Sequence, residues 1–134
     1  MRLINAVREW NAEGRSPLRT IALYTTADRR AMFVREADEA VLIGPATDGG
    51  ADASNLAAPN PYLDLAELAR ALCACRAEAV WPGWGFVSER AGFAELCRDL
   101  GIVFVGPSPE VMRALGDKIG SKLLAAPSGI GTGR

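Results

Sequence analysis

The chain has 134 residues, 49% of them apolar and 23% charged, and a net charge of −1. That balance excludes disordered and fibrous classes and suits one globular domain, burying roughly two-thirds of its unfolded surface. It also excludes any general electrostatic attraction to nucleic acid or acidic lipid, and no apolar run approaches the roughly 20 residues needed to cross a bilayer.

Met1 to about Glu13 reads as an amphipathic helix, with Leu3, Ile4, Val7 and Trp10 at helical spacing and Gly14 to end it. Arg8 and Glu9 interrupt this run too early for a signal peptide. Ile21 to Tyr24 is a strand, Asp28 to Ala37 a short helix presenting Met32 and Phe33, and Ala40 to Ile43 a second strand stopped by Gly44-Pro45. Thr47 to Pro61, rich in Gly, Ala, Asp, Asn and Pro, is a loop. Asp64 and Glu67 form a capping-box pattern opening a helix whose apolar face is Leu65, Leu68, Leu72 and Cys73.

A third strand, Ala79 to Trp81, runs into Pro82 and a turn with two glycines, Gly83 and Gly85, around Trp84. Ser88 is placed to cap the next helix, which carries Phe93, Leu96, Cys97 and Leu100 and stops at Gly101. Ile102 to Val105 is a fourth strand. Ser108-Pro109-Glu110 starts a helix ending near Gly116, and Asp117 caps another from Lys118 to about Ala125. Pro127 to Arg134 is a glycine-rich tail without a core pattern, expected to be disordered. Strands alternating with helices predict an α/β fold with a parallel sheet, and short continuous apolar runs suit strands covered on both faces. The chain opens on a helix, although such folds usually open on the strand that feeds it.

Three cysteines, Cys73, Cys75 and Cys97, match no common zinc or redox spacing and fit free thiols in a reducing cytoplasm. There is no histidine, which removes histidine-based triads and the commonest metal ligand. No residue is assigned a proton-transfer or metal-ligating role. The candidate binding residues cluster at the glycine turn. In open α/β sheets ligands lie beyond the carboxyl ends of the strands, and glycines there permit close backbone approach. A tight turn that needs glycine for sterics alone reads the same way. Trp81 and Trp84 suit either stacking or packing, and Glu89 either a site carboxylate or an acid in a helix first turn. Lys118, in a helix first turn where the dipole opposes a cation, suits an anion such as phosphate, or is a solvated lysine beside Asp117.

At these residues the sequence resembles a known family. Trp81-Pro82-Gly83-Trp84-Gly85-Phe86-Val87-Ser88-Glu89 is similar to the His-Pro-Gly-Tyr-Gly-Phe-Leu-Ser-Glu-Asn signature of biotin carboxylase. Val103 to Ser108, Leu115 to Lys118 and Tyr24 to Gly44 resemble further segments of the family in the same order. The resemblance runs from Met1 to about Ala125, so residues 1–126 are expected to be one domain and 127–134 its tail. It implies the amino-terminal, Rossmann-like domain that precedes an ATP-grasp fold. The family uses ATP, Mg2+ or Mn2+ and bicarbonate to carboxylate biotin on a carrier protein. By this resemblance Lys118 matches an ATP-contacting lysine, Gly85 and Glu89 match positions lining the active site, Trp84 matches the tyrosine beside them, and Gly83 is a turn glycine.

The sequence departs from the pattern in places. Trp81 and Trp84 replace the signature's histidine and tyrosine, a version similar to that of large acetyl-CoA carboxylases and so to fatty acid biosynthesis. Arg90 replaces its closing asparagine. The family's first strand, central in the sheet, and its Ala-Asn-Arg-Gly-Glu turn fall before Met1, and the ATP-grasp pattern does not follow Ala126. The chain alone is therefore expected to be inactive and to bind these cofactors weakly, its partners being the ATP-grasp domain and the biotin carrier of a parent carboxylase. The alternatives are a non-catalytic module that pairs with a carboxylase subunit, and a small nucleotide-binding protein of another ATP-grasp family.

Overall fold

A computed structural model describes residues 1–44 and 60–116. The predicted loop from Thr47 falls almost wholly outside these residues, as do the helix from Lys118 and the tail 127–134. The chain divides into two compact units, Met1–Ala77 and Glu78–Arg134.

The first unit contains α1 (Arg2–Ala12), β1 (Ile21–Tyr24), α2 (Met32–Glu36), β2 (Glu39–Leu42) and α3 (Leu65–Ala74). Strands β1 and β2 run parallel, with Ile21 opposite Glu39 and Tyr24 opposite Leu42. Both ends of this pair are pinned by side chains. At the start, Thr20 donates its amide and its hydroxyl to the Asp38 carboxylate, each at 2.7 Å, while the Asp38 amide donates back to the Thr20 hydroxyl at 3.1 Å. The Thr20 hydroxyl, followed by its amide, holds the Asp38 carboxyl below the usual range. At the far end, the Gly44 amide donates to Glu67 Oε1 at 2.8 Å.

That last contact revises the capping box. Asp64 caps α3 as expected, accepting from the amides of Ala66 and Glu67 at 3.0 and 3.1 Å. Glu67 does not reach back to its own helix end; the Asp64 amide is taken by the Pro61 carbonyl. Glu67 instead binds Gly44 and takes a bidentate pair of bonds from Arg70, at 2.7 and 2.8 Å. The Arg70 guanidinium, helped by the Gly44 amide, lowers the Glu67 carboxyl to about 2 from 4.5. Because the folded value is the depressed one, this stabilisation is complete above about pH 4.5 and is lost as the pH falls toward 2. The expected result is that Glu67→Gln destabilises the chain at neutral pH and that the gap from wild type narrows across this window. Denaturant midpoints at several pH values check it; a gap that is constant with pH would mean that Glu67 contributes no ionised-state stabilisation.

The apolar faces are narrower than periodicity alone predicts. In α1 only Ile4 is buried, while Leu3 and Trp10 stay partly exposed. Trp10 is held at the surface, its indole donating to the Ser16 carbonyl and Arg15 lying over its ring. The segment from Asp28 to Ala37 is not one helix but a 3₁₀ turn, Thr26–Asp28, followed by the short α2. In α3 the buried residues are Leu68, Ala71 and Leu72, and beyond them Cys75; Cys73 points outward. The helix closes on Arg76 at φ +53°, with the Arg76 amide bonded to Cys73 and the Ala77 amide to Leu72. This is the left-handed closure that glycine usually provides.

The second unit contains β3 (Ala79–Val80), α4 (Ala91–Asp99), β4 (Val103–Phe104) and α5 (Pro109–Gly116). Strands β3 and β4 are parallel, pairing Ala79 with Val103 and Val80 with Phe104. Phe93 and Cys97 of α4 are buried, and the Phe93 ring meets Phe104 edge-on with centroids 6.1 Å apart. Gly101 ends α4 as predicted, at φ +71°, with its amide bonded to Arg98 and the Ile102 amide to Cys97. The α/β class with parallel strands is as expected, and both sheets have two strands among the described residues.

Candidate functional site

Residues 81–90 connect β3 to α4. Parallel strands need a crossover, so this turn lies where the chain leaves the carboxyl end of β3. Three of its residues have left-handed backbones: Gly83 at φ +70°, Gly85 at +88° and Phe86 at +46°. Phe86 has a side chain and so bears strain at this φ. Val87, 7% exposed, anchors the turn in the core, and the Ser88 amide closes it on the Gly85 carbonyl at 2.9 Å.

The glycines are explained by backbone conformation and not by crowding. A Cβ at Gly85 would meet nothing within 4 Å, and one at Gly83 would make only ordinary contact, 3.7 Å, with the Trp81 ring. Positive φ accounts for both residues, and the backbone at Gly85 is open to approach. Trp84 is 92% exposed and so does no packing in the core of this unit, and Trp81 is 45% exposed. Glu89 is exposed as well. Ser88 does not cap the helix: α4 begins one residue after Arg90, which occupies the cap position without a side-chain hydrogen bond to the helix. The Arg90 amide is used in the turn, donating to the Val87 carbonyl at 3.1 Å.

The structure thus brings Gly83, Trp84, Gly85 and Glu89 together on one turn, while Lys118 lies outside the described residues. Among the described residues no group of three or more Cys, Asp or Glu side chains is arranged to hold a metal ion. An open groove of this unit, lined in part by Ala94, Arg98, Ile102, Phe104 and Ser108, includes none of these turn residues.

The first unit contains a polar cluster that the residue pattern did not reveal. Beyond the carboxyl end of β1, the Asp28 carboxylate accepts from the Thr25 hydroxyl at 2.8 Å and from the Tyr62 hydroxyl at 2.7 Å. The Thr25 amide donates to the Tyr62 hydroxyl oxygen at 3.3 Å. Burial, and then the bond to Asp28, pushes the Tyr62 phenol up to about 12, so it stays a proton donor at neutral pH. A threonine three residues before an aspartate is a visible capping pattern; nothing local announces Tyr62, which is 34 residues from Asp28. The cluster fixes the loop after β1 by pairing half-buried polar groups with one another.

Residues 1–112 match the family described as biotin carboxylase, N-terminal domain. Over 125 residues the chain is 38% identical to human mitochondrial pyruvate carboxylase, covering 93% of this chain and 10% of that protein. It is 41% identical over 113 residues to biotin carboxylase of Nostoc, covering 84% of this chain and 23% of that protein. Among solved structures, the biotin carboxylase domain of a thermophilic 2-oxoglutarate carboxylase, bound to bicarbonate, superposes with a TM-score of 0.79 at 32% identity, covering 98% of this chain and 26% of that one. The chain therefore spans a quarter or less of the curated relatives it matches here. With the turn signature in place, and a sequence match over most of the chain accompanied by a fold match, the chain belongs to the biotin carboxylase N-terminal domain family.

Proposed function

We propose that the chain serves as the amino-terminal part of a biotin carboxylase region in a larger biotin-dependent acyl-CoA or related carboxylase. The parent reaction is ATP-driven carboxylation of carrier-borne biotin with bicarbonate. The observation that carries this reading is the ordered set of family segments along one chain, centred on the turn at Gly83, Trp84, Gly85 and Glu89. In that setting these residues line the site and Lys118 meets ATP phosphate; they bind and position, and none transfers a proton. Residues 1–126 form the domain, Rossmann-like, with its opening strand supplied from outside this span. What supports this is that, among the described residues, each sheet has only two strands and so an edge to which a strand can add. Among the described residues no helix is long and apolar enough to cross a membrane; the cytoplasmic placement rests on the three free thiols. The acetyl-CoA version, with its link to fatty acid biosynthesis, rests on Trp81 and Trp84 in the Trp-Pro-Gly-Trp-Gly run.

ATP, the divalent metal and biotin require more protein than this chain. The purified 134-residue chain is expected to release no ADP in the presence of ATP, Mg2+, bicarbonate and biotin. Biotin- and bicarbonate-dependent ADP release by preparations free of longer carboxylase would refute that expectation. Peptide mapping of every native band containing Ala79 to Arg90 tests the assignment itself: these peptides are expected in a much larger band together with ATP-grasp peptides.

A second reading is favoured by the same open edges: a non-catalytic module that adds to a carboxylase subunit by strand pairing. It differs from the first in requiring a discrete 14.2 kDa species among those bands.

A further inference from the structure

No further inference is drawn: the strongest candidate, the apolar face of the β3–β4 sheet on which Val103 and Val105 stand exposed, carries nothing because nothing in the structure shows what covers it.

Discussion

Lys118→Ala is expected to raise the KM for ATP by about ten- to a hundredfold in a biotin carboxylase that keeps its own opening strand and has the matching segment after it replaced by this chain. The size follows from the loss of one hydrogen bond to a charged group, about 1.5–3 kcal/mol, at 1.4 kcal/mol per factor of ten. The thermophilic 2-oxoglutarate carboxylase domain is a suitable host, because its match covers 98% of this chain. The unmodified graft is expected to release ADP in a biotin- and bicarbonate-dependent way, and it serves as the reference. Lys118→Arg keeps the charge but changes its shape, and is expected to recover part of the loss. An unchanged KM in Lys118→Ala would return Lys118 to the alternative reading, a solvated lysine beside Asp117.

Gly44→Ala is expected to cost about 2–5 kcal/mol of folding stability, a large share of what a domain of this size has. Two effects add. Gly44 has φ +78°, where a side chain costs roughly 1–2 kcal/mol. A Cβ there would also lie 2.5 Å from Pro61 Cγ and 3.1 Å from its Cβ. Pro61 is a ring at the first position of a 3₁₀ turn, not the tip of a flexible chain, so something must shift. Overpacking of this kind typically costs about 1–3 kcal/mol. Gly14→Ala is the control, since Gly14 has φ +72° and nothing within 4 Å of its added Cβ. It is expected to lose only the conformational part. Chemical denaturation of the two variants separates the effects, and equal losses would remove the Pro61 contact from the account.

The same residue shows how the fold is held at the edge of β2. Gly44 accepts close approach from Pro61 and gives its amide to Glu67. Both partners lie well beyond Gly44 in the sequence, Glu67 being 23 residues away. The strand end is therefore fixed by residues distant in sequence, and Ile43 beside it is 1% exposed. This is also why an acid expected to serve its own helix end is used elsewhere. An N-cap aspartate already satisfies two amides of α3, which leaves Glu67 available for Gly44 and Arg70.

The sequence by itself determined what depends on near neighbours. Helical spacing and start or stop residues located α1, α3, α4 and α5 to within a residue or two, and short apolar runs located all four described strands. Gly14, Gly83, Gly85 and Gly101 each take the positive φ expected of glycine at a stop or a turn. These features follow from one residue's allowed backbone or from contacts within a helical turn, so they can be read in order along the chain. The family motifs are legible for the same reason, being contiguous runs. Tertiary structure decided which face of each element is buried and which polar groups meet. Cys75 is inside and Cys73 outside because the apolar stripe of α3 runs through Leu68, Ala71 and Leu72 to the helix end. Ser88 does not hold the cap position because the turn runs on through the Arg90 amide, bonded to the Val87 carbonyl, and α4 begins only at Ala91. Glu67 finds Gly44 across 23 residues, and Tyr62 finds Asp28 across 34. Such pairs form only after the intervening chain has folded back, and their geometry is set by the packing of whole elements, which no local pattern of residues encodes.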